Sequence, residues 1–308
     1  MMMLAEFLFR WTGERRYADY WEKNLYNGIF AQGYWQQHTI FQLKDPIKPK
    51  EGLVTYYLPL AAGSKKKWGS ETEDFWCCHC TLLQANAIHN RSIYYIKDDT
   101  VTVAQYIPSK TSFVIDGREI SLIQTIGHDT GETIRILPQV YKNQCRPDSF
   151  LSTIKINIDE GGAKDFTLSV RVPAWITGDA CVRINGAAIS GALNDRGFID
   201  IHKSWSSGDI VTVELPKGIY CEPLPDRKDT VAFMEGPVVL AGLCDHEHML
   251  FGDIHHPETM LAVEDERMWN SWNNYFKTVN QPVGIKFKPL YEIGDEAYTV
   301  YFQVKNSF

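Results

Sequence analysis

Phe166-Thr167-Leu168-Ser169-Val170-Arg171-Val172 puts an apolar side chain at every second position and a polar one between. A period of two marks a strand with one face on a core and the other toward water. The signal recurs on both sides of this stretch. Upstream, Val101 and Val103 alternate with threonines, and Phe113-Val114-Ile115 and Ile120-Ser121-Leu122 flank Asp116-Gly117, a two-residue hairpin signal. Downstream, Ile184-Asn185-Gly186 gives another turn, Phe198, Val211, Val213 and Leu215 fall in further strands, and Val238-Val239-Leu240-Ala241 reads as a buried strand. Tyr298, Val300, Phe302 and Val304 close the chain on the same alternation. Short strands with this spacing and punctuation predict β-sandwiches.

Before Ser92 the period is helical. Leu4, Phe7, Leu8 and Trp11 recur at helical spacing, Thr12-Gly13-Glu14 interrupts, and Tyr17, Trp21, Leu25 and Ile29 continue it, which predicts two helices joined by a short turn and ending near Ala31. Residues 33–68 read as loop, with Pro46, Pro49, Gly52, Pro59 and Gly63, an extended piece at Leu53–Leu60, and Lys65-Lys66-Lys67 on a solvated face. Leu82, Leu83, Ala85, Ala87 and Ile88 predict a helix over 81–89. The fold class is therefore α+β and multidomain, with residues 1–91 helical, 92–160 plus 230–308 forming one sandwich, and 161–229 a second.

Just before that third helix lies Phe75-Trp76-Cys77-Cys78-His79-Cys80-Thr81, three of the seven cysteines and a histidine in four positions. The thiolate is the nucleophilic and metal-binding form of cysteine, and a helix N-terminus favours it. The run reads as a metal site, a nucleophile, or both. Glu71, Glu73 and Asp74 are the nearby carboxylates for acid/base work, set against the plainer reading of solvated loop residues. Asp245-His246-Glu247-His248 and His255-His256 have no fixed helical frame for metal binding and read as solvated loop. A purely redox or metal-storage role for Cys77, Cys78 and Cys80 is set aside, because a disulfide between neighbouring cysteines is strained.

Composition narrows the partners. The chain has 308 residues, enough for two or three domains, and a formal net charge of −7, which gives no footprint for nucleic acid or an anionic membrane. No apolar run reaches the roughly 20 residues of a membrane span. Seven cysteines, with Cys145, Cys181, Cys221 and Cys244 scattered singly, make no disulfide framework and favour a reducing compartment or buried thiols. With no secretory signal visible, a cytoplasmic location is expected. Thirteen per cent aromatic residues suit both sandwich cores and sugar-stacking surfaces.

Several segments together resemble one family. Phe9-Arg10-Trp11-Thr12-Gly13, Arg16-Tyr17-Ala18-Asp19-Tyr20, Leu25-Tyr26-Asn27-Gly28, Tyr56 with Pro59-Leu60, Phe75-Trp76-Cys77-Cys78, Ser92-Ile93-Tyr94 and Trp205 to Val213 look like the β-L-arabinofuranosidases of glycoside hydrolase family 127. The resemblance implies the last helices of an (α/α)6 barrel followed by β-sandwich domains, and a carbohydrate substrate. It implies a zinc ion whose ligands include Cys77 and Cys78, with Cys77 also the nucleophile and Tyr56 in the sugar pocket. It assigns no role to His79 or Cys80. The family's Glu-x-Cys ligand pair and acid/base glutamate fall before the first helix here, so the expectation is the C-terminal portion of such an enzyme with an incomplete site. The alternative is a non-catalytic, carbohydrate-binding or degenerate β-sandwich protein.

Overall fold

Gly13 stops the first helix where the sequence predicts it. Helix α1 (Met2–Thr12) ends on this glycine at φ 66°, a left-handed conformation that costs glycine little, and the glycine N–H bonds Phe9 O at 2.7 Å. Helix α2 (Arg15–Asn24) follows and runs on through a wide π turn, Leu25–Ile29, and a 3₁₀ turn, Phe30–Gln32. The computed structural model describes residues 1–34, 52–126, 149–159, 162–264, 267–268, 271–272 and 275–306. The loop reading of 35–51 and Cys145 lie outside the described residues.

The chain forms two compact units, residues 1–22 with 89–218, and residues 23–88 with 219–308. In the first, β1 (Tyr94–Lys97), β2 (Thr100–Val103), β6 (Ala163–Arg171) and β9 (Phe198–Ser206) make one sheet in that order. A second sheet runs β3 (Ser109–Ile115), β4 (Arg118–Ile126), β5 (Ser149–Ile158), β10 (Ile210–Pro216), β7 (Cys181–Ile184) and β8 (Ala187–Ile189). The two share one core, in which Phe166, Leu168, Val170 and Trp205 meet Phe113, Leu122, Ile154 and Val213. Trp205 is fully buried and its indole N–H donates to Phe166 O at 3.0 Å, which keeps the burial from stranding a polar group.

The predicted turns hold. Asp116 and Gly117 both take positive φ, 46° and 77°, between paired Ile115 and Arg118, and Asn185 and Gly186 do the same between β7 and β8. That pair of positive φ values is what a tight two-residue hairpin requires. The expected division at residue 161 is not how the strands pair. β6 and β9 join β2, and β7, β8 and β10 join β5, so 161–216 completes the sheets begun at residue 94. The link is the parallel β2–β6 register, Val101 opposite Leu168. Period-two alternation reports which face a residue takes and not which strand it sits beside.

One polar residue of the alternating stretch is fully buried. Arg171 donates through Nη2 to Glu22 Oε1 at 2.7 Å and pairs through Nη1 with Asp19, both from α2. Asp19 also accepts the Ala174 N–H at 3.2 Å, and Glu22 accepts Trp175 Nε1 at 2.9 Å. Burial pushes the Asp19 carboxyl up and the guanidinium pulls it back. This network, with Phe9 and Ala18 packed on Ala104 and Phe198, seats the first two helices on their sheet.

In the second unit the central strand is β12 (Thr230–Glu235), flanked by β11 (Ile219–Pro223) and β13 (Val238–Gly242). The sheet extends through β14 (Met249–Phe251), β15 (Leu261–Val263), β18 (Phe276–Thr278), β19 (Lys286–Pro289) and β20 (Tyr301–Lys305), while β16 (Arg267–Met268) and β17 (Ser271–Trp272) form a small hairpin of their own. Val231 and Phe233 enter one core with Phe287 and Phe302, whereas Ala232 and Met234 enter another with Tyr298 and Leu290. Both faces are covered, which is why this strand is apolar without alternation. The expected union of 230–308 with 92–160 is thus replaced by a separate sheet that starts at residue 219. Among the described residues no helix is long and apolar enough to cross a membrane.

Candidate active site

Helix α3 (Cys77–Ile88) starts four residues earlier than its apolar residues predict, so the cysteine run forms its first turn. Cys77, Cys78 and Cys80 are exposed, while His79 is turned inward and 3% exposed. His79 Nδ1 accepts the Trp76 N–H at 3.1 Å, which puts the ring proton on Nε2, and the imidazole stacks on the Trp76 indole at 5.8 Å between centroids. The histidine therefore acts as an anchor for the helix start.

Facing the thiols is Tyr56, twenty-one residues away in sequence. Its hydroxyl is 3.5 Å from Cys77 Sγ and 3.2 Å from Cys78 Sγ, and the two sulfurs are 3.9 Å apart. Hydrogen bonding from Tyr56 holds the Cys77 thiol below its usual 9.0, with Cys78 adding to the effect. Reciprocally, the two thiols push the Tyr56 hydroxyl above its ordinary value. Changing Tyr56 to Phe removes that donor, so the pH profile for iodoacetamide alkylation of Cys77 is expected to move to higher pH. An unmoved profile would show that the hydroxyl does not act on the thiol.

Tyr56 is held by a loop with many ties. Thr55 pairs with Trp68, Gln32 Nε2 donates to Tyr56 O at 3.2 Å, and Tyr298 OH donates to Pro59 O at 2.7 Å. Gly63, at φ 68°, passes so close to Asp245 O that a Cβ would lie 2.0 Å from it. Lys66, expected on a solvated face, is buried and donates to Leu290 O at 2.9 Å and Ile293 O at 2.8 Å. The signal was present, since extended backbone turns the middle of three residues opposite to its neighbours.

Burial draws the Lys66 ammonium from 10.5 down to about 7, with Glu296 pulling the other way. Between those values the unfolded chain binds the proton that the folded chain has released, so stability gains from rising pH across that window. Lys66→Met is expected to flatten the rise in urea-unfolding midpoint between pH 7 and 10.5. An unchanged slope would remove Lys66 as its source.

A cavity of about 570 Å³ opens beside Tyr56, walled by Tyr56, Tyr57, Trp68 and Trp76 and edged by Lys65 and Lys67; the thiols meet it through Tyr56 and do not line it themselves. Its size is that of a small-ligand pocket, and aromatic walls suit the apolar faces of sugar rings. Asp74 lines it and accepts the Ser70 N–H at 2.8 Å, whereas Glu71 and Glu73 are exposed. The sequence reading found Tyr56 but not Tyr57, Trp68 or Trp76, whose shared wall depends on the loop's tertiary ties. Of the two histidine clusters of the sequence, His246, His255 and His256 are exposed and His248 is half-buried; His246 bonds Asp245 at 2.6 Å and His256 bonds Glu258 at 3.0 Å.

Two thiolate ligands at the usual zinc–sulfur length of about 2.3 Å and tetrahedral angle sit about 3.8 Å apart. The 3.9 Å between Cys77 and Cys78 sulfurs fits that edge, so the pair can supply two corners of a zinc site. Among the described residues no group of three or more His, Cys, Asp or Glu side chains converges to complete one.

Comparison with known proteins gives the site its context. The model of the GH127 β-L-arabinofuranosidase catalytic domain matches residues 1–91, and that of the GH127 middle domain matches residues 100–217. No curated protein matches the chain in sequence. Among solved structures, Ara127N, a GH127 β-L-arabinofuranosidase from Geobacillus stearothermophilus T6, superposes with TM-score 0.70 at 20% identity, over 99% of this chain and 48% of its own. The GH127 β-arabinofuranosidase BT3674 gives 0.72 at 20% identity with coverages of 99% and 48%, and a third structure, a glycoside hydrolase, gives 0.69 at 16% with 98% and 51%. At that identity the likeness is one of fold, and the chain spans about half the length of these structures. With two successive domain models of one family matched in order, and that family's fold followed throughout, the chain belongs to glycoside hydrolase family 127.

Proposed function

We propose that this chain carries the nucleophile side of a glycosidase centre that cleaves β-L-arabinofuranosides, or a closely related glycoside, with retention of configuration, Cys77 being the nucleophile. The observation that carries the reading is the Tyr56 hydroxyl set between two exposed thiols at the start of α3, beside an aromatic-walled cavity. Tyr56 hydrogen bonding and the helix N-terminus favour the Cys77 thiolate. Cys77 Sγ forms a bond to the anomeric carbon as the bond to the leaving oxygen breaks, and that oxygen takes up a proton. Water then displaces the sulfur from the opposite face, and two inversions give net retention. Cys77 and Cys78 would hold a zinc ion, whose charge when bound keeps the thiols deprotonated. Tyr57 and Trp76, both more than half exposed, would stack on the sugar.

The reaction also needs an acid/base carboxylate and zinc ligands besides Cys77 and Cys78. The test is L-arabinose release from an aryl β-L-arabinofuranoside, with and without added zinc and a chelator. In the protein that carries those groups, release that needs zinc and disappears in Cys77→Ala is expected. Sugar binding that survives Cys77→Ala, with no release by the unaltered chain, would favour the non-catalytic binding alternative.

A further inference from the structure

Cys80 is the exposed thiol to which neither the family resemblance nor the proposed reaction gives a task. It lies three residues after Cys77, and both belong to the first turn of α3, a helix of 12 residues. Cys77 and Cys78 share Tyr56, while the Cys80 thiol makes no hydrogen bond with any described residue.

Geometry separates the two ways in which Cys77 could be oxidised. Disulfides usually span Cα atoms about 4.4–6.8 Å apart. Successive residues are held at about 3.8 Å, below that range, so Cys77 to Cys78 is a strained closure. Residues three apart on a helix of 1.5 Å rise and about 2.3 Å radius lie about 5 Å apart, inside the range. Helical Cβ atoms at that spacing are about 5–6 Å apart and must approach for the bond to form. The bonding at the helix start is not purely α-helical: His79 N–H bonds Trp76 O at 3.0 Å, three residues back.

We infer that Cys77 and Cys80 form a reversible disulfide, a modification site at the start of α3. The oxidant is a low-molecular-weight disulfide such as oxidised glutathione. Cys77 thiolate attacks one of its sulfurs and expels the first glutathione thiolate, leaving a mixed disulfide. Cys80, on losing its proton, attacks the Cys77 sulfur and expels the second glutathione thiolate. The protein loses two electrons and two protons, and glutathione disulfide becomes two thiols. Closure draws Cys77 Sγ toward Cys80 and away from the Tyr56 hydroxyl. That this silences catalysis rests on Cys77 being the nucleophile; the disulfide itself does not.

The experiment equilibrates the full chain in glutathione buffers of increasing oxidised fraction, quenches with acid, alkylates remaining thiols and maps the peptide holding all three cysteines. In the unaltered chain and in Cys78→Ser, that peptide is expected to lose two hydrogens and to regain them in excess reduced glutathione. In Cys80→Ser the loss is expected to vanish, with glutathione accumulating on Cys77 instead. Either of two results overturns the inference: Cys80→Ser closing a disulfide as readily as the unaltered chain, or glutathione adducts without closure in the unaltered chain. Because the readout is chemical, it stands whether or not the chain hydrolyses a glycoside.

Discussion

Cys77→Ser is expected to lower glycoside cleavage by about 10⁴-fold or more, in line with losses on removing a catalytic nucleophile. The alcohol has the right shape but stays protonated near neutral pH, and it is a poor zinc ligand beside a thiolate. In the unaltered chain the same residue should be the first thiol alkylated by iodoacetamide. Cys77 is exposed and its thiol is held low by Tyr56, whereas burial pushes the Cys221 thiol up to about 12 and raises that of Cys244. Alkylation that begins at Cys221 or Cys244 would contradict the described electrostatics, whatever the activity.

Arg171→Met is expected to destabilise the first unit by about 3–5 kcal/mol, the usual result of removing one partner from a buried ion pair. The methionine fills much of the space but leaves Glu22 without its guanidinium and Asp19 with only Arg15 Nε, at 3.5 Å. The midpoint of urea unfolding, followed by tryptophan fluorescence, should fall accordingly. Replacing Asp19, Glu22 and Arg171 together by apolar residues should recover much of the loss, since the penalty lies in the unpaired charges. A loss below about 1 kcal/mol for Arg171→Met would mean that the network behaves like an exposed pair.

Arg171 also marks a limit of sequence reading. Strand β6 was legible from its alternation, and its apolar residues do face the core. The alternation places Arg171 on the other face, as observed, but cannot tell that α2, about 150 residues earlier, brings two carboxylates to cover it. The helices, their break at Gly13 and the Asp116-Gly117 and Asn185-Gly186 turns were legible because each depends on local backbone preferences. Strand partners were not, because each residue of β2 meets in parallel a residue of β6 that lies 67 positions later. At the site, the thiols stood out by concentration alone. Tyr56 came from the resemblance, and its 3.5 Å approach to Cys77 depends on loop ties to residues 290–299 that no local pattern announces. For Lys66 the local alternation allows an inward middle lysine, but its carbonyl partners, Leu290 and Ile293, lie more than 220 residues on.

The central claim is that Cys77 bonds to the sugar. Its most direct measurement is peptide mapping by mass spectrometry after incubating the zinc-supplemented chain with an activated aryl β-L-arabinofuranoside and quenching in acid. The account predicts one arabinosyl group on Cys77, absent from Cys77→Ala and reduced in Tyr56→Phe. An arabinosyl group on another residue, or aryl alcohol release that continues unchanged in Cys77→Ala, would contradict it.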